Sequence, residues 1–193
     1  MIKISEFENK DKLKSKRWTE RKKAASNLGN IEEEQKAEDI IPEMIKVLKN
    51  DENSKVRAEV ASSLSKLNEF AEDAVPVLID CMKNDDSKKV REWATIALGE
   101  IGPKAKKAIP DLVEVFQTDE STTVRKKAIF SLGKMGKEAI DIIDDLKKFK
   151  KENNSWWVNS VINMAINNIE ESLEEEEDES IYEFPIRRED EEE

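Results

Sequence analysis

Apolar residues fall at helical spacing along this chain, and the spacing itself recurs. In DENSKVRAEVASSLSKL, Asp51 to Leu67, the residues Val56, Val60, Ser63, Leu64 and Leu67 share one stripe, about 100° wide, as expected of a helix with one buried face. The skeleton returns at Asp85 (DDSKKVREWATIALGEI), at Asp119 (DESTTVRKKAIFSLGKM) and, in weaker form, at Asn153 (NNSWWVNSVINMAINNI). Val56, Val90, Val124 and Val158 stand 34 residues apart, as do Arg57, Arg91 and Arg125. An upstream copy, KRWTERKKAASNLGNI from Lys16, aligns if two extra residues sit in the loop from Gly29 to Lys36.

A second segment alternates with the first. AEDIIPEMIKVLKND starts at Ala37, AEDAVPVLIDCMKND at Ala71 and AKKAIPDLVEVFQTD at Ala105, and a fourth copy from Ala139 has Asp144 where the others have Pro. Pro42, Pro76 and Pro110 keep the period; proline suits the first turn of a helix, where its missing N–H has no partner to lose. Each unit therefore reads as two helices. Gly99 and Gly133, with Gly102 and Gly136 beyond them, read as stops for the second helix. The small residues Ser63, Ala97, Ser131 and Ala165 allow neighbouring helices to approach. A pair of such short helices cannot bury its stripe alone, so the units must stack. The expected fold is all-α, a right-handed α-solenoid of about five helical hairpins over residues 1–171, with an acidic flexible tail over 172–193.

The proline helix, the Asp six residues before each Arg and the A-x-x-x-L-G ending resemble HEAT repeats, most of all the short HEAT-like repeats of the phycobilisome lyase type. The resemblance spans Lys16 to Ile169. It implies a ladder in which Asp and Arg link adjacent units, built here from Asp51, Arg57, Asp85, Arg91, Asp119 and Arg125. The ends depart from the pattern: Asn153 and Asn159 replace both charges in the last unit, and the first keeps Arg21 but has Ser15 in place of the Asp.

Charge separates body from tail. From Glu170 onward there are 14 acidic and 2 basic residues, against 30 and 31 before it, so the tail carries the net charge of −11. Like-charge repulsion predicts disorder there. Ile181, Tyr182, Phe184, Pro185 and Ile186 nonetheless form a short apolar island of a kind that orders on a partner. Trp18 and Trp156 occupy equivalent positions in the first and last units, and are expected to cover the open ends of the stack.

Several chemistries are disfavoured. The chain has no histidine and one cysteine, Cys81, which removes Ser-His and Cys-His nucleophile pairs and the usual zinc ligand sets. Cys81 shares a slot with Val47, Val115 and Phe149 and reads as a small buried hydrophobe. The carboxylate pairs at Asp51, Asp85 and Asp119 read as turn and cap residues. No apolar run approaches the roughly 20 residues of a membrane helix, and MIKISEFENKDKLKSK lacks the apolar core of a secretory signal. The expectation is a cytoplasmic, monomeric, non-enzymatic chain without cofactor or metal. The bases from Lys10 to Lys23 are fewer than phosphate neutralisation asks for, so nucleic acid is a disfavoured partner.

The inner row of Val-Arg helices, concave in stacks of the HEAT type, is the place to look for a site. Two slots flank its core stripe. They are polar early (Lys23, Glu59, Ser26, Ser62) and then carry Trp93, Ile96, Phe130, Val161 and Met164. The expected function is a non-catalytic scaffold or adaptor binding another protein in this groove, with the tail as a second or autoinhibitory contact. Alternatives are an accessory subunit of a lyase-like modifying enzyme, and a polyanionic-tail binder of basic proteins or nucleic-acid machinery.

Overall fold

The computed structural model describes the backbone of residues 4–31, 34–152 and 154–182, and side chains between 8 and 174 apart from 32–36, 38 and 153. Ten α-helices follow one another in the described residues: α1 (Ile4–Lys12), α2 (Trp18–Leu28), α3 (Glu34–Asn50), α4 (Ser54–Lys66), α5 (Val75–Asn84), α6 (Lys88–Ile101), α7 (Ile109–Thr118), α8 (Thr122–Lys134), α9 (Ile143–Glu152) and α10 (Trp156–Tyr182). They pair into five hairpins, and the fold is an all-α solenoid. In each of the last three units a 3-10 segment precedes the first helix: Asn68–Ala74, Gly102–Ala108 and Gly136–Ile142.

The second helices α2, α4, α6, α8 and α10 pack side by side in one row. The stripe read from the sequence supplies the seam: Val56, Val60, Leu64, Val90, Leu98, Val124, Leu132, Ile162 and Ile169 are buried in one continuous core. Leu48, Leu78, Leu112 and Leu146, from the first helices, close it from the other side. Each unit thus buries its stripe mainly against its neighbours, which is why stability accumulates along the stack.

Four sequence readings need correction. Gly99 and Gly133 lie inside α6 and α8 and stop nothing. A Cβ on Gly99 would sit 2.9 Å from the Ser131 Cα, and one on Gly133 2.8 Å from the Ala165 Cα. These glycines let adjacent second helices come together against the small residues already noted. The turns belong to Gly102 and Gly136, at φ 67° and 56°, and to Asn68, at φ 49°, the equivalent residue one repeat earlier. Left-handed backbone there is open to glycine and, next best, asparagine.

Pro76 and Pro110 stand in the first turns of α5 and α7, but Pro42 lies inside α3. The later units break before the proline at Ala71 (ψ 18°) and Ala105 (ψ 16°), whereas α3 starts earlier, at Glu34. Trp156 turns its indole to solvent, at 79% exposure, and covers no helix end. The last helix does not end at 172, where the flexible tail is expected to begin, but runs to Tyr182. Glutamate is a good helix former, and Ser172–Tyr182 contains neither Gly nor Pro. Pro185 stands where helices characteristically end. The tail beginning at 172 therefore opens as helix, and the flexibility read for it falls on 183–193, outside the described residues.

Cys81 is buried, at 7% exposure, and burial, reinforced by Asp85 and Asp80, pushes its thiol up to about 12. The thiolate is the reactive form. Maleimide labelling of the native chain near neutral pH is expected to be slow and to become fast in denaturant; fast native labelling would show that the slot opens.

Candidate protein-binding site

The intra-unit turns join the stack through arginine. Arg57 Nε donates to Asp85 Oδ2 at 2.7 Å and Nη2 to Oδ1 at 2.9 Å, while Nη1 donates to the Asp51 carbonyl at 2.8 Å. Arg91 repeats this with Asp119 and the Asp85 carbonyl, and adds Glu120 at 2.8 Å. Each Asp Oδ1 also accepts the N–H two residues on, from Asn53, Ser87 or Ser121. One carboxylate thus shapes its own turn and holds the preceding unit. Arg21 makes a further rung to Asp51, at 2.6 and 2.9 Å, and its Nη1 donates to the Ser15 carbonyl. Ser15 stands in for aspartate in the turn, its Oγ accepting the Arg17 N–H. Burial raises the Asp51 carboxyl, but the hydrogen bonds from Arg21 and the Asn53 N–H, with the Arg21 charge, outweigh it and hold the group below the ordinary range. Among the described residues no carboxylate meets Arg125: Nη1 donates to the Asp119 carbonyl and Nη2 to Thr122 Oγ1.

The ladder holds the second helices in register, so that equivalent residues line up across the row. Of the five groove candidates, Phe130 (37% exposed) and Met164 (50%) are the open ones. They occupy the same slot on adjacent helices α8 and α10. Trp93 and Val161 are half-buried against the core, and Ile96 is half-buried on α6. Lysines border the strip: Lys89 Nζ lies 5.2 Å from the Trp93 ring centre and Lys134 Nζ 5.6 Å from that of Phe130. Lys134 also pairs with Glu100 at 2.6 Å. Toward the N-terminal end the slots are polar, and Lys22 pairs with Glu59. The result is a strip of apolar and aromatic surface rimmed by lysine and confined to the C-terminal half of the row. Such a surface can take apolar side chains of another protein; its bordering lysines are already paired, Lys89 with Glu92 and Lys134 with Glu100. Of the tail residues, Ile181 and Tyr182 lie in the last turn of α10, while Phe184, Pro185 and Ile186 lie outside the described residues.

Two features escaped the sequence reading. Trp157, beside Trp156, is 42% exposed and stacks under Lys126, whose Nζ is 3.2 Å from the ring centre. Neither residue lies on the repeated skeleton, so periodicity gave no signal for the pair. The other is the pocket beside Arg125, which arises from what the last unit lacks. Among the described residues there is no group of His, Cys, Asp and Glu suited to a metal ion, and no helix long and apolar enough to cross a membrane.

A family model described as HEAT repeats matches residues 10–99 and again 81–167. Among solved structures, a chain in the complex of CpcE and CpcF of phycocyanin lyase from Nostoc sp. PCC7120 is similar at 22% identity and a TM-score of 0.64, over 83% of this chain and 97% of that one. YibA of E. coli is aligned over 86% of this chain and 81% of its own at 16% identity, but with a TM-score of 0.35. No curated protein matches the sequence.

Proposed function

The chain belongs to the HEAT repeat family, and we propose that it is a non-catalytic scaffold or adaptor that binds another protein along the row of second helices, the concave side in stacks of this kind. The observation that carries this reading is the pair Phe130 and Met164, exposed at one slot on adjacent helices and continued by Trp93, Ile96 and Val161. Rigid repeats place large apolar side chains on solvent there with nothing in the chain's own core to gain from it. A chain of like fold in a complex of two proteins supports a protein as the partner. Residues 172–193 supply a second, acidic contact, which raises affinity through effective concentration.

Phe130→Ala with Met164→Ala tests the reading. Both side chains are exposed enough for the fold, followed by circular dichroism, to stay intact. Affinity capture from cell extract is expected to lose the partner held by the wild type, with a loss of about 2 kcal/mol, roughly thirtyfold, as for one interface hot spot. Equal capture by the double variant would remove the groove from the function. An accessory role in a modifying enzyme is the second reading, favoured only by the fold shared with the lyase chain; activity would then require the partner.

A further inference from the structure

The rungs made by Arg21, Arg57 and Arg91 set a template: Nη1 on a carbonyl of its own turn, Nε and Nη2 on a carboxylate from the next unit. Arg125 keeps the first half, with Nη1 at 2.6 Å from the Asp119 carbonyl, and its Nη2 reaches only Thr122 Oγ1 at 3.3 Å. Among the described residues no carboxylate touches it, and the sequence puts Asn153 where the next unit's aspartate would stand. Among the described residues, a guanidinium shaped for a bidentate carboxylate is therefore left with that face open.

The open face borders a cavity of about 230 Å³ between α7, α8, α9 and α10. Its apolar wall is Phe116, Phe149, Ile129 and Val158, and its polar edge includes Thr122, Arg125 and Lys126. Phe116 and Phe149 meet edge to face at 4.5 Å, which fixes the wall. Lys126 is held close by, over Trp157. The ligand this arrangement suits is an anion with an aromatic group next to it. A larger cavity of about 450 Å³ over the third rung suits none, because its cations are already taken: Lys83 by Asp111 and Glu114, Arg91 by Asp119 and Glu120.

The chain's own sequence contains the matching chemistry. Glu183 stands between Tyr182 and Phe184, in a segment of strong negative charge. It cannot reach the cavity in its own molecule. Val158, on the cavity wall, and Tyr182 are 24 residues apart on the single helix α10, about 36 Å at 1.5 Å per residue. Phe184 is two residues further on, at most about 7 Å. We propose that the incomplete fourth rung is a receptor for the C-terminal segment of a second copy of this chain, Glu183 supplying the carboxylate that Arg125 lacks and a neighbouring ring entering the pocket. This reading does not rest on the concave face or on what binds there.

The test uses the full-length chain and a fluorescein-labelled peptide of residues 178–193, followed by anisotropy, with sedimentation velocity of the chain alone in parallel. Saturable peptide binding and concentration-dependent self-association are expected. Arg125→Gln should weaken both by at least about tenfold, as loss of a hydrogen-bonded charge partner does at an interface. Asn153→Asp should do the same by filling the rung from within, while raising the melting temperature, so a folding defect cannot account for its effect. A peptide carrying Glu183→Gln and Phe184→Ala should bind at least about tenfold more weakly, and Phe130→Ala with Met164→Ala should leave peptide binding unchanged. Absence of binding, or equal binding by the wild type and both rung variants, overturns the proposal. So does equal binding of the altered peptide, which would leave only general attraction of opposite charges.

Discussion

Arg91→Ala is expected to destabilise the chain by about 3–5 kcal/mol, the cost of removing one partner from a buried ion pair. Arg91 is 6% exposed and gives up two carboxylates and one carbonyl at once. What remains is the Asp119 carboxylate in a place built for a cation, still bound to the Ser121 N–H but facing a void. Equilibrium unfolding in urea measures the loss directly. A change under about 1 kcal/mol, the ordinary value for an exposed pair, would mean that the rung is a surface contact and that the ladder does not hold the units. Arg125→Ala is the natural control, since it ends no such pair among the described residues.

Gly99→Ala is expected to have the opposite sign from the usual helix substitution. Within a helix, replacing glycine by alanine ordinarily stabilises by roughly 0.5–1 kcal/mol. Here the new methyl would lie 2.6 Å from Ser131 Oγ, 2.8 Å from its Cβ and 2.9 Å from its Cα. The Cα belongs to the backbone of α8, so no rotamer change relieves the clash and α6 and α8 must separate. Overpacking of this kind costs about 1–3 kcal/mol. Adding Ser131→Gly removes two of the three close atoms but also the hydrogen bond from Ser131 Oγ to the Thr95 carbonyl, 2.8 Å, so rescue should be partial. Thermal melts of the single and double variants decide it, and a stabilised Gly99→Ala would show that the helices have slack.

Why the fold was readable and the site less so follows from how each is encoded. The stripe through Val56, Val60 and Leu64 and its copies repeats a physical requirement, burial against a neighbour, and repetition makes it visible in one sequence. The Asp and Arg of the inner rungs repeat in the same way, and the resemblance to HEAT repeats implies that they pair; the rung from Arg21 to Asp51 lies at an end where Ser15 breaks the pattern. Gly102 and Gly136 are the stops the sequence suggests, whereas Gly99 and Gly133 are not, because spacing from the helix start says where a glycine lies but not what faces it; Gly99 answers to Ser131 on the next helix, beyond any local window. The groove residues Phe130 and Met164 could be singled out as apolar residues at slots that are polar in early units. How open each is depends on neighbours such as Lys134, and the half-burial of Trp93 was not legible. The Arg125 pocket is the product of an absence, Asn153 for Asp, and an absence marks a site only once the surrounding walls are known.

The ladder also governs how the molecule comes apart. In a linear array, unfolding resembles the melting of a one-dimensional lattice: each unit's own stability is marginal and the nearest-neighbour couplings make the whole cooperative. Three of those couplings carry a charged rung, and the fourth, between α8 and α10, lacks one among the described residues. The coupling without a charged rung among the described residues sits one unit from the C-terminal end. The fifth hairpin is therefore expected to open before the other four, and the Lys126–Trp157 stack and the pocket beside it lie at that joint.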